Sequence, residues 1–167
     1  GDKVNGKEKI LLDNQEITDT FQKLKRDGMI KATGISTYTV EETKQAIEHG
    51  NWDVIQLPFN LMDQRHALLF KRAQEKGVGI VVRSILLKGL LSNRGRNLHP
   101  ALKDVENHIS KYTRLLGQNI SGLPEYAIRF GLSFPEVSSV LVGIDKMDYL
   151  EQTLAAAYGA YLTKEEL

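Results

Sequence analysis

The sequence has 167 residues, 41% hydrophobic and 26% charged, which supplies one core and too little for two large domains. A net charge of +1 without a long basic block argues against nucleic acid as the principal partner. The absence of cysteine excludes disulfides, thiolate metal sites and a cysteine nucleophile, and leads us to expect a reducing, cytoplasmic setting. No apolar run nears the roughly 20 residues that span a bilayer, and no signal-peptide pattern opens the chain, so no membrane partner is expected.

In chain order, residues 1–9 are polar and read as a loop. Asp13 and Glu16 have capping-box spacing, Ile17, Phe21 and Leu24 share one helical face, and Gly28 suits the left-handed exit. Residues 29–36 are expected to form a short strand. A second helix starts at Thr39 with Glu42 three positions on, carries Ala46 and Ile47, and stops at Gly50. Residues 53–59 are a second strand with Pro58 at its exit. Asp63 is expected to cap a third helix containing Ala67, Leu68 and Ala73, ending at Gly77.

Residues 79–92 are the centre of the pattern. Ile80–Val82 is β-branched and reads as a buried strand, followed by Arg83-Ser84 and a turn at Lys88-Gly89. A cation, a hydroxyl and a flexible backbone at one strand end can cup an anion such as phosphate. The plainer alternative is a core strand followed by an ordinary loop.

Residues 93–100 are a polar loop, and Pro100 suits a first helical turn. Leu102, Val105, Ile109, Tyr112 and Leu116 trace a helix to Gly117. Ser121 is expected to cap the next helix, with Glu125, Ala127, Ile128 and Leu132 inside it. Residues 137–144 form a fourth strand, and Asp145 is expected to cap a last helix with Met147, Leu150 and Leu154. The chain starts on Gly1, and Thr163 with Glu166 opens a helix that does not follow, so both ends are expected to be cut. His49, His66, His99 and His108 lack metal-ligand spacing and are expected at the surface.

Strands alternating with helices imply an α/β fold with a parallel sheet and right-handed crossovers. Four such units suit either a small open sheet or half of an eight-stranded barrel. Five segments bear on that choice. They are Gly34-Ile35-Ser36-Thr37, Val54-Ile55-Gln56-Leu57-Pro58-Phe59-Asn60, Arg83-Ser84 through Leu91, Leu123-Pro124-Glu125-Tyr126 through Phe130, and Val140-Leu141-Val142-Gly143 followed by Tyr149 through Thr153. In this order and spacing they resemble the aldo-keto reductase family, from about Asp13 to Leu167.

The resemblance implies strands five to eight of a TIM (β/α)8 barrel, with residues 1–167 a single partial domain. It implies NADP or NAD as cofactor and hydride transfer between NAD(P)H and a small carbonyl or alcohol substrate. The family's catalytic Asp, Tyr, Lys and His lie on the first four strands, so no catalytic residue is assigned and the chain alone is expected to be inactive. A complementary N-terminal half-barrel or a dimer partner is expected to cover its edges.

By the same resemblance, Ser36, Thr37 and Gln56 would bind the nicotinamide carboxamide, and Arg83 stands where the family usually has a stacking aromatic. Ser84, Leu86 and Gly89 would line the pyrophosphate, and Gly143 the adenosine phosphate or ribose. Lys146 would substitute for a 2′-phosphate-binding cation, and Gln152 and Thr153 would lie near adenine. Read from the residues alone, the lesser alternatives are that Gln56 is a polar strand-end residue and Ser36-Thr37 a capping turn before Glu42. Two rival functions are a non-catalytic nucleotide-binding or assembly subunit, and an independent α/β enzyme using Arg83, Ser84 and Asp145.

Overall fold

The computed structural model describes residues 14–117 and 120–163. Four parallel strands lie side by side in sequence order: β1 (Gly34–Ser36), β2 (Val54–Pro58), β3 (Gly79–Arg83) and β4 (Val137–Val140). Sequential order without reversal is what consecutive units of a barrel produce, whereas a doubly wound open sheet reverses at a switch point. One face is sealed: Ile55, Leu57, Ile80 and Val82 are each at most 1% exposed. On the other face Ser36 and Ser139 are exposed, and Val54, Gln56, Val81 and Arg83 are half-buried. A sheet covered on one side only is a section of barrel wall, its open face being the one that looks inward.

The helices explain the covered face. Helix α1 (Gln15–Arg26) is capped by Asn14, whose side chain accepts from the Glu16 and Ile17 N–H groups. Asp13, expected in that role, lies outside the described residues. The strand expected over 29–36 is shorter because the Met29 and Ile30 N–H groups close back on the Leu24 carbonyl, finishing α1. Helix α2 (Val40–His49) has the expected capping box between Thr39 and Glu42 and ends at Gly50 in the left-handed conformation. Glu42 is only 3% exposed, and accepts from both the Tyr38 and Thr39 N–H groups.

Three expected caps are displaced. Asp63 instead holds Arg65 at 2.8 Å, and the chain passes through a 3-10 turn (Arg65–Leu69) before helix α3 (Phe70–Glu75). After helix α4 (Lys103–Leu115), Ser121 sits within a 3-10 turn and Gly122 caps α5 (Leu123–Leu132). Lys146, not Asp145, is the N-cap of α6 (Met147–Tyr158), without a side-chain hydrogen bond. In each case a tight turn or an extended approach supplies the geometry that a side-chain cap would otherwise fix.

Phe59, wholly buried just past β2, is the aromatic hub of the core. Its ring centre lies 4.9 Å from Phe70, 5.3 Å from Phe130 and 5.0 Å from Phe134. Such pairs are each worth about 0.5–1.5 kcal/mol beyond their burial. They fasten the end of β2 to α3 and α5, which fixes the floor under the strand ends where the site lies.

A candidate cofactor half-site at the strand ends

The backbone leaving β3 is unusual. Ser84, Leu87 and Lys88 have φ of 60°, 46° and 54°, followed by Gly89 at 88°. A bulky residue such as Leu87 adopts that region only when its surroundings hold it there, at a cost of about 1–3 kcal/mol. Several hydrogen bonds hold this loop. Ser84 O accepts from Leu87 N–H (2.8 Å) and from the buried Asn60 amide (3.3 Å), and the Ser92 hydroxyl donates to Gly89 O (2.5 Å). Further on, a Cβ on Gly95 would collide with the Leu90 carbonyl, so this turn closes only over glycine. Asn97 N–H donates to Glu106 at 2.8 Å, which ties the loop to α4 and holds that carboxyl below its ordinary range, with Lys103 assisting.

This loop forms one wall of a cavity of about 630 Å3, a size suited to a small-molecule ligand. Six of the expected site residues line it: Ser84, Leu86 and Gly89 on the β3 side, and Gly143, Gln152 and Thr153 on the β4–α6 side. Lys88, Ser92 and Arg94 line it too, although the sequence reading gave them no role. The Arg94 side chain runs over Gly89, where an added Cβ would stand 3.4 Å from Arg94 Cδ. The signal available in the sequence was two cations, Lys88 and Arg94, closely following a strand-end hydroxyl.

The other expected residues lie elsewhere. Ser36 and Gln56 sit opposite each other on β1 and β2, their side-chain oxygens 3.5 Å apart, beside a smaller depression of about 240 Å3 on the open sheet face. Thr37 is 2% exposed, and its hydroxyl shares a 2.7 Å hydrogen bond with Thr43. Its N–H donates to Gln56 O at 2.9 Å, so it braces the β1–β2 pair. Helix capping, the alternative considered for Ser36-Thr37, is performed by Thr39. Lys146 is exposed, its Nζ 5.6 Å from the Tyr149 ring centre.

Arg83 crosses from β3 over the end of β2 to β1. Its Nη2 donates to Thr37 O at 3.1 Å, its Nη1 to Ser84 Oγ at 3.4 Å, and its guanidinium carbon lies 4.4 Å from the Tyr38 ring centre. His66 lies in the same corner and departs from the expectation for the histidines. It is wholly buried, and its contact with the Thr39 backbone falls short of a well-formed hydrogen bond. Burial holds its pKa below the ordinary imidazole value, opposed by the Thr39 backbone and Asp63 and reinforced by Arg65 and Arg83.

A parallel barrel wall with its cavity at the carboxyl ends of the strands fits many enzymes, and comparison narrows the choice. A model of the aldo/keto reductase family matches residues 9–167. The chain belongs to the aldo/keto reductase family. It is 25% identical over 162 residues to the uncharacterized oxidoreductase YqkF of Bacillus subtilis (strain 168), covering 91% of this chain and 53% of that protein. It is 29% identical over 150 residues to L-galactose dehydrogenase of Arabidopsis thaliana, covering 84% of this chain and 46% of that one. Among solved structures, the holo form of aldo-keto reductase AKR11C1 from Bacillus halodurans matches with a TM-score of 0.73 and 27% identity, covering 90% of this chain and 52% of that chain. The glycerol dehydrogenase AKR11B4 from Gluconobacter oxydans, at 22% identity and a TM-score of 0.68 over 90% of this chain and 51% of that one, is alike in fold. This aldo/keto reductase chain therefore spans about half the length of the relatives it matches.

Proposed function

We propose that these residues form the dinucleotide-binding half of an NAD(P)-dependent reductase acting on a small carbonyl or alcohol substrate. The observation that carries this reading is the single cavity joining Ser84, Leu86 and Gly89 to Gly143, Gln152 and Thr153. Its donors suit the phosphates of such a cofactor: the Ser84 hydroxyl and two cations, Lys88 and Arg94. Leu86 and Val142 offer apolar surface for ribose and adenine, with Tyr149 and Gln152 also on the lining. Ser36 and Gln56 would hold the carboxamide, since a hydroxyl and an amide match its donor and acceptor. When bound, the nicotinamide supplies or accepts the hydride; the protein fixes which ring face is presented.

In this reading the chemistry needs a proton donor of tuned pKa, which the family carries on its first four strands. The 167 residues by themselves would bind dinucleotide without reducing carbonyls. The open sheet face would be covered by a complementary half-barrel. Titration calorimetry with NADPH and NADH tests the binding claim. Saturable one-to-one binding should weaken about tenfold or more in Arg94→Ala, the loss expected for one charged phosphate contact. Equal affinity in that variant, or no binding to the wild-type chain, would overturn the reading.

A further inference from the structure

The Arg83 guanidinium is fixed in an unusually complete way. One amino group donates to Thr37 O, the other to Ser84 Oγ, and one face lies on the Tyr38 ring. Those bonds anchor it at both ends of a three-strand span, because Thr37 follows β1 and Arg83 ends β3. Its path crosses β2, whose Gln56 is bonded to Ser36 beside it. Among the described residues no carboxylate forms an ion pair with it. Glu42, the buried acid of that corner, accepts from the Tyr38 and Thr39 N–H groups. With its edges tied and one face on Tyr38, the group holds a full positive charge at the strand ends, bonded to the residue that follows Ser36.

We propose that Arg83 makes this half-site discriminate between the two redox forms of its dinucleotide, favouring the reduced, neutral nicotinamide over the oxidised, cationic one. The inference rests on the cofactor reading above and adds a function to it. An aromatic residue in this place would attract the pyridinium cation, whereas a guanidinium repels it and does not repel the neutral dihydropyridine. A site that holds the reduced form and releases the oxidised form is biased toward carbonyl reduction. Tyr38 and Thr37 are positioning residues in this arrangement, holding the charge in place.

The test is equilibrium binding of NADPH and NADP+, and of NADH and NAD+, to the wild-type chain and to Arg83→Gln and Arg83→Lys. Binding separates this question from turnover. The wild type should prefer the reduced form, and Arg83→Gln should shrink that preference roughly tenfold, the size of one cation–cation contact near a protein surface. Arg83→Lys should retain most of it. A measurement on the wild type alone guards against misfolded variants: the preference should fall between 50 mM and 500 mM salt as screening grows. If both forms bind but the preference is unchanged by Arg83→Gln and by salt, this inference is overturned while the cofactor reading stands. If neither form binds, both are overturned.

Discussion

His66 is buried without exposed surface, which disfavours its charged form. Burial is the main cause of its lowered pKa. The unfolded chain, with an ordinary imidazole near 6.5, binds more protons than the folded one as pH falls below that value. The stabilising contribution of a neutral His66 is therefore complete above the ordinary imidazole range and is lost as pH falls through it toward the folded value. Urea unfolding measured from pH 8 to pH 5 should show stability declining with acidification, and His66→Phe should remove most of that slope. A slope unchanged in the variant would place the titration on another group. The sequence could not reveal this burial. Helical periodicity was read across 63–77, but the 3-10 turn Arg65–Leu69 rotates the following residues, turning His66 inward and leaving Leu68 84% exposed.

At the scale of elements, α1 is the least embedded helix, with no buried residue of its own. Phe21 meets Trp52 edge-on at 6.0 Å, and Lys25 reaches Asp53 at 2.7 Å. Asp53 also accepts from the Thr33 N–H at 2.7 Å and the Thr33 hydroxyl at 3.1 Å, so one carboxylate joins α1, the approach to β1 and the start of β2. Lys25 first, then the Thr33 backbone, holds its pKa below the ordinary carboxylate value. Its contribution is present above that value and disappears as pH falls through the folded pKa. Asp53→Asn should loosen α1 at neutral pH, read as faster amide exchange across 17–26, and should flatten the acid dependence of that exchange. Unchanged exchange would show that the Phe21–Trp52 contact and the Asn51–Thr18 hydrogen bond dock the helix without the carboxylate. The helix and strand order was legible because local signals agreed: the Thr39–Glu42 box, the left-handed glycines at 28, 50 and 77, and short strand-like runs ending at Pro58 and Arg83. The caps at Asp63, Ser121 and Asp145 were not, since a side chain suited to capping does so only where its residue stands at the N-cap position, which the turns leading into these helices give to Leu69, Gly122 and Lys146.

Across the whole molecule, the half-barrel follows from strand order and from a sheet sealed on one face only, neither of which a linear sequence displays. From residue types alone only the Arg83-Ser84 strand end and the Lys88-Gly89 turn stood out, because parallel folds gather ligands there, and the remaining candidate residues came from the family resemblance. What stayed hidden depends on contacts between distant positions: Asn60 holding the Ser84 carbonyl, Arg94 lying over Gly89, and Arg83 reaching across to Thr37. In the function we propose, a dinucleotide lies along the strand ends from Ser36 and Gln56, past the 84–95 loop, to the β4–α6 turn. Hydrogen exchange of the chain with and without saturating NADPH tests it directly. The account predicts slowed exchange at 84–95 and 143–153, with a smaller effect at 36–38 and little change elsewhere. Protection confined to the helical face, or none at binding concentrations, would contradict it.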